Sequence, residues 1–415
     1  MRPAHIVLYL SFFVTTSCTD TYKHTAPEIV YNLNLIDSIG TRYHQLNRFN
    51  GTILVSKVDS IFFSKSYGLA DYENEIPFTD RTAFKVGTLS EIAIGNILQE
   101  SIDKGRIHPD STLQHYLKGV KGGYTIAQLM DHTSGLPELS YFKSEVFMKD
   151  SPIIAMANKA KSEGIADSVP SQLNYALLAL MLQEIYDQPF EAIANEYLTT
   201  SGLYQSYFGR DRMPLAVGYE GYSNYRGNGL ELKKVELPDS TSFLNSMGLK
   251  TTPADLYHLL LASPDQRKDG FLENDGFSYS VYKNAKSKLG IIVLSNYRHP
   301  ISDEITDNIL AIMNNEPYHL PLARSVVKVP DVVLRAYSGK YKLNEYVSFD
   351  VEEEEGDLYV RLHGNRTKLF PQSRNQFFMN DRDAAMRFLS GPNNGITGVE
   401  LLNGFLQGEV AKKIE

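Results

Sequence analysis

The stretch FKVGTLSEIAIGNILQESIDKG, Phe84–Gly105, carries one helix and, at its front, four residues that can be read in two ways. Ile94, Ile97, Leu98 and Ile102 recur at helical spacing, which puts them on one stripe of a helix. Gly105 follows as the residue that most readily ends such a helix in a left-handed conformation. Ahead of the stripe stand Thr88-Leu89-Ser90-Glu91. A threonine with a glutamate three residues later, before an apolar run, is a capping box: the hydroxyl accepts from a backbone N–H and the carboxylate reaches back to the N-cap amide. An acid in the first turn also suits the helix dipole. The spacing therefore predicts a helix capped by Thr88 and Glu91.

The same stretch resembles, without a gap from Phe84 to Gly105, the start of the active-site helix in serine β-lactamases and penicillin-binding proteins, above all their class C β-lactamase and esterase branch. That resemblance puts Thr88 at the family's serine and Glu91 at its lysine. In that chemistry the serine attacks an acyl carbon and the lysine, one helical turn on, helps take its proton. A glutamate cannot supply the cation.

Working outward, Tyr124-Thr125-Ile126-Ala127-Gln128-Leu129-Met130-Asp131-His132-Thr133-Ser134-Gly135-Leu136-Pro137 is the clearest match, to the family's T-I-x-x-L-L-x-H-T-S-G-L-P segment. Ser134 and His132 invite nucleophile and base readings. Ser-Gly-Leu-Pro is turn chemistry, however, and the resemblance implies an architectural loop. Upstream, Asn50-Gly51 opens two β-rich runs broken at Asp59-Ser60, a predicted hairpin ending in Gly68-Leu69-Ala70-Asp71, which matches the family's Gly-x-Ala-Asp turn. A helix is predicted across Glu28–Leu46. Downstream, Leu177, Leu178, Leu180, Met181 and Ile185 make a helix apolar nearly all round, hence buried. Gly248–Leu256 resembles the family's G-x-x-S-T-x-x-D-L helix start. Phe277, Tyr279 and Val281 alternate, and Gly290–Asn296 is a continuous apolar strand.

The family's second element, Tyr-x-Asn, relays a proton to the leaving group. Counting back from Tyr175, its positions fall on Pro170-Ser171-Gln172, where proline has no proton to give; Tyr141 and Tyr175 are the other phenols available. The third element, Lys-x-Gly, presents a cation and oxyanion donors on a strand edge. Lys268-Asp269-Gly270 has the right letters, whereas a gapless count from Gly276-Phe277 places Gly270-Phe271-Leu272 there. The stretch from Leu256 to Phe277 is shorter than usual in the family, which implies a deletion beside the cleft.

After Pro321 come short strands with turn signals, resembling the small β domain, barrel- or sandwich-like, often appended to this family. Within it Glu352–Glu355 reads as a solvated hairpin edge. At the N-terminus, Arg2 and His5 precede the apolar run IVLYLSFFV and then TTSC, ending at Cys18. This predicts an export signal running into a lipobox, with Thr15 where leucine is usual, which leaves cleavage by signal peptidase I or a retained anchor as alternatives. The run is too short for the ~20 residues that span a bilayer. Cys18 is the chain's single cysteine, so disulfides within the chain are excluded.

The predicted organisation is thus a signal peptide and lipobox over 1–18, a tether over 19–26, a β-lactamase-related α/β (α+β) domain over 27–318 with an antiparallel sheet, flanking helices and a helical subdomain, and a β domain over 330–415. The net charge of −8 without a basic tract argues against a nucleic-acid partner. No cofactor or metal is implied. With nucleophile, lysine and tyrosine positions all replaced, the sequence predicts an envelope lipoprotein that binds a peptide, glycan or protein ligand through a cleft at Thr88, Ser90, Lys268 and Gly270 without cleaving it. Two alternatives stand beside this: an active esterase, D,D-peptidase or β-lactamase using Thr88 or Ser90, and a structural envelope module working through its β domain. If Cys18 carries the lipid, Cys18→Ala should shift the chain from the membrane fraction or stall its maturation; normal processing and sedimentation with membranes would overturn the lipobox reading.

Overall fold

The computed structural model describes residues 26–58, 60–138, 150–162, 170–224, 229–235, 248–272, 275–297, 301–321, 324–362, 365–379, 384–392, 395–402 and 407–414. Cys18, the tether and Tyr141 lie outside the described residues. Five antiparallel strands form the main sheet: β1 (Gly51–Lys57), β2 (Ser60–Tyr67), β3 (Gln266–Leu272), β4 (Phe277–Asn284) and β5 (Leu289–Ser295). Their spatial order is β3-β4-β5-β1-β2, so β3 is an edge.

Both faces of the sheet are covered, which explains why β1 and β5 read as continuous apolar runs instead of alternating with polar residues. Successive side chains point to opposite faces. Ile53, Val55, Leu289, Ile291 and Val293 pack against α1 (Ala26–Gln45) and α8 (Ser302–Met313), through Ile36, Ile39, Ile305 and Ile309. Leu54, Ile292 and Leu294 face the other way, with Phe277, Tyr279 and Val281 of β4. There they meet α2 (Ser90–Asp103) and α7 (Pro253–Leu261). The same core continues into α3 (Ile126–Met130), α4 (Asp150–Ser162), α5 (Gln172–Tyr186) and α6 (Phe190–Thr200). Leu173–Leu182 of α5 are all buried, as a helix apolar all round requires.

Two glycines fix how the chain enters this sheet. Gly68 takes φ +82° beside Asn50, whose amide bonds both the N–H and the carbonyl of Leu69. Gly51 pairs with Ser295, and a Cβ there would lie 2.0 Å from the Leu294 carbonyl oxygen. Between α7 and β3 only Ala262–Asp265 intervene, so the connection beside the edge strand is short.

The C-terminal segment is a closed eight-stranded barrel, which resolves the choice between barrel and sandwich. It closes where Gly339–Lys342 pairs with Val410–Lys413, a last strand the sequence reading did not separate. Its interior is filled: Tyr341, Phe377 and Phe388 are essentially fully buried, and Tyr337 of α9 (Asp331–Tyr337) stacks on Phe388 at 4.1 Å. Side chains fill an eight-stranded barrel of this kind. The acidic run lies on one of its hairpins, where Glu352 is 2.9 Å from Arg361 and Glu354 pairs with Arg366.

Because the atom opposing Gly51 is main chain, it cannot yield without moving β5. Gly51→Ala should destabilise the domain by about 1–3 kcal/mol, the usual cost of overpacking. Denaturant unfolding unchanged in this variant would contradict the β1–β5 register.

Candidate functional site

The turn that opens α2 does not form the predicted capping box. Gly87 takes φ +48° and starts a 3-10 turn over Gly87–Leu89, and α2 follows from Ser90 with no side-chain cap at its N-terminus. Thr88 sits inside that turn, whereas an N-cap residue needs non-helical, extended backbone. A complete capping box does form elsewhere, between Thr125 and Gln128 at the start of α3. At α2 both side chains have tertiary partners instead.

Glu91 is only 6% exposed, and its Oε2 takes two donors. Lys268 Nζ on β3 lies 2.9 Å away and His132 Nε2 lies 3.4 Å away. A buried carboxylate is costly unless paired and hydrogen-bonded, so these donors are what permit it. The tautomer of His132 follows from its neighbours. Leu136 N–H donates to Ser134 Oγ (3.2 Å), and that hydroxyl donates to Asn174 Oδ1 (2.6 Å). The Asn174 amide nitrogen therefore faces His132 Nδ1, at 3.1 Å, and donates to it. Nε2 then carries the proton towards Glu91. His132 itself has φ +55°, and Gly135 follows at φ +75°. The loop is architectural, as the sequence predicts, but it also delivers an imidazole into the cluster.

Tyr175 lies beside this group. Its hydroxyl donates to Met130 O (3.2 Å), and its ring is 5.2 Å from that of His132. Burial, then the nearby Glu91 and Asp131 carboxylates, push its phenol well above the ordinary range. On the other side of the turn, Thr88 Oγ1 is hydrogen-bonded to the hydroxyl of Tyr279 on β4. Tyr279 pairs in register with Gly270 of β3, and a Cβ on Gly270 would lie 2.5 Å from the phenol oxygen. Only glycine leaves room for that phenol. Burial raises the Tyr279 pKa, and Glu91 and Asp269 add to the rise, so the group stays protonated at neutral pH.

The structure thus gathers Thr88, Glu91, Lys268 and Gly270 beside the middle of the edge strand. On β3, Lys268 reaches Glu91 and Gly270 lies against the Tyr279 phenol. Ser90 is corrected: it is fully buried, and its hydroxyl accepts from Leu249 N (3.1 Å), so it holds a neighbouring segment and does not line a cleft. Pro170 is exposed, and the contact found for Gln172 is a backbone one, to Glu138 at 3.4 Å. Ser171 between them caps α5 and donates to Pro137 O (2.6 Å). What reaches the cluster from α5 is Asn174 and Tyr175. Asn174 and Tyr279 were missed as site residues: one reads as helix interior and the other as strand alternation. The available signal was Gly270, a glycine inside a strand, which marks a close approach.

An antiparallel sheet with helices on both faces, a Ser/Thr position at the head of a buried helix and a Lys-x-Gly edge strand define the β-lactamase and penicillin-binding-protein class. Residues 39–274 match the Beta-lactamase family model, more than half of the chain, and the chain belongs to that family. Residues 323–410 match a domain of unknown function, DUF3471. The chain is 21% identical to penicillin-binding protein 4* of Bacillus subtilis over 426 residues, covering 86% of this chain and 93% of that one. It is 27% identical to a teichoic acid D-alanine hydrolase of Staphylococcus aureus over 235 residues, 53% of this chain and about half (55%) of that protein's length. Among solved structures, a class C β-lactamase superposes with TM-score 0.57 at 19% identity, covering 71% of this chain and 99% of the other. An octameric penicillin-binding-protein homologue from Pyrococcus abyssi superposes with TM-score 0.56 at 17% identity, over 91% and 99%. At these identities the structural likeness is one of fold.

The Glu91–Lys268 pair has a measurable signature. Lys268→Met leaves a buried carboxylate with His132 as its remaining donor. Because Lys268 is 34% exposed, the cost should be about 1–3 kcal/mol, below that of a fully buried pair. Glu91→Gln combined with Lys268→Met should be more stable than Lys268→Met alone, giving a coupling energy of about 1 kcal/mol in a double-mutant cycle. Strict additivity of the two changes in denaturant unfolding would show that the pair is not coupled.

Proposed function

We propose that this chain is a bacterial envelope lipoprotein whose β-lactamase-like domain no longer performs acyl transfer, and whose cleft between Thr88 and Lys268 binds a peptide, glycan or protein ligand without cleaving it. One observation carries the reading: the position one helical turn after the nucleophile site holds a buried carboxylate already committed to Lys268 and His132. Acyl transfer at this place needs a group that takes the hydroxyl proton and a cation that stabilises the developing charge. Here the cation of β3 is neutralised by Glu91. The partner of Thr88 is a phenol whose raised pKa keeps it protonated, so no phenolate stands ready to take the hydroxyl proton. Removing one member of a catalytic unit costs orders of magnitude, and the losses are not additive.

The envelope assignment rests on the predicted lipobox at Cys18 and on relatives named as a penicillin-binding protein and a teichoic acid D-alanine hydrolase. Among the described residues, no helix is long and apolar enough to cross a membrane. The attachment proposed is a lipid on Cys18, which lies outside the described residues.

Intact mass after incubation with a penicillin and with activated esters separates this reading from an active hydrolase. The wild-type chain should show no adduct; a stoichiometric one on Thr88 would sink the proposal. The double variant Thr88→Ser with Glu91→Lys is the sharper probe. A lysine at 91 would stand where Glu91 now meets the Lys268 ammonium, so one of the two must lose its proton or move away. Tyr279 would still occupy the serine hydroxyl. This variant should remain unacylated and melt below wild type. Its clean acylation would mean that activity was lost through those two positions alone.

A further inference from the structure

A second pocket, of about 270 Å³, lies away from the Thr88–Lys268 cluster, between the C-terminal end of α7 and the hairpin joining β4 to β5. Tyr257, Leu260 and Leu261 wall it from the helix, and Leu289, Gly290 and Ile292 from the sheet. Its room comes from Gly290. A Cβ there would lie 2.4 Å from Ser56 Oγ and 3.7 Å from the Tyr257 ring, so the missing side chain is the space between them. Tyr257 is 5% exposed, and its hydroxyl is buried with no hydrogen-bond partner. Leaving such a group unpaired is costly, and each one in a native fold calls for an explanation. Ser56, 2% exposed, has only a long contact of 3.4 Å to Gly290 O.

The charged side chains lining the pocket are Lys283 and Lys288, with no acid among the lining residues. Lys283 Nζ donates to the carbonyls of Leu261 (3.0 Å) and Ser263, which uses two of its three N–H groups and fixes it at the rim. Lys288 sits on the hairpin with φ +50°. The walls are apolar, an unpaired phenol lies among them, and the rim is cationic.

We infer that this pocket binds a small monocarboxylate with an apolar body, its chain between Leu260, Leu289 and Ile292 and its carboxylate towards the lysines. The volume lies just under the ~300 Å³ at which ordinary ligand sites begin, which limits the guest to a short chain. None of the residues of the Thr88 cluster lines it, so occupancy does not depend on what that cluster binds.

Sodium hexanoate titrated into the full chain, followed by the methyl resonances of Leu260, Leu289 and Ile292, tests this. Saturable shifts confined to these methyls are expected, with hexan-1-ol weaker and hexylammonium without effect. Tyr257→Phe removes only the sealed, unpaired oxygen; it should hold or raise the melting temperature and leave hexanoate affinity unchanged. Lys288→Met should weaken it by about 2- to 5-fold and narrow the gap to hexan-1-ol. Hexylammonium binding as well as hexanoate would overturn the inference. So would saturable shifts elsewhere in the chain, or unchanged affinity in a folded Lys288→Met variant.

Discussion

Glu91 is a carboxylate sealed into the first turn of a buried helix, and it stands there only because Lys268 and His132 donate to it. Those two donors come from different parts of the molecule. Lys268 belongs to the edge strand, and His132 to a loop held by Ser134, Asn174 and the head of α5. One acid therefore ties the sheet edge, the helical region and α2 together where a β-lactamase-like fold keeps its chemistry. Remove the acid and a lysine and an imidazole lose their common partner; remove the lysine and the acid is stranded. The constraint is mutual, which makes substitutions at these positions conditional on one another.

That constraint also changes what the cleft can offer a ligand. Two groups that would ordinarily present positive charge at this place, the helix lysine and the strand lysine, are here a glutamate and its counter-ion. Their charges cancel, and His132 is oriented as a neutral donor. Thr88 is turned towards Tyr279, whose phenol lies against Gly270. The face of the edge strand at Gly270 is thus occupied by a side chain of the protein itself. The cluster is built from self-satisfied groups, and electrostatic stabilisation of a transition state needs unsatisfied donors aimed at the developing charge.

The fold was legible because its determinants are local and periodic. The apolar runs of β1 and β5, the alternation of Phe277, Tyr279 and Val281, and the buried stripe of α5 each state their own burial. Gly68 and the Ser134–Pro137 turn punctuate the chain where the sequence places them. The site was less legible because its bonds are long-range. Lys268 and Glu91 are 177 residues apart, and Thr88 and Tyr279 are 191 apart. The capping-box reading failed for the same reason. Thr88-x-x-Glu91 has the right local letters, but Gly87 bends the backbone into a 3-10 turn and a tertiary cation competes for the carboxylate. Where a Thr-x-x-Gln has no such competitor, at Thr125 and Gln128, the box forms.

The order in which such a site can be dismantled follows from its energetics. A glutamate at 91 facing a lysine-bearing strand is attractive from the start, so loss of the helix lysine can stabilise the fold by converting a like-charge neighbour into an ion pair. Return is harder than departure. A lysine restored at 91 meets Lys268, and a serine restored at 88 meets Tyr279, so each single reversion is unfavourable until another position has changed. Glu91 and Lys268 hold this part of the fold together, and a change at either is tolerated only with a matching change at its partners.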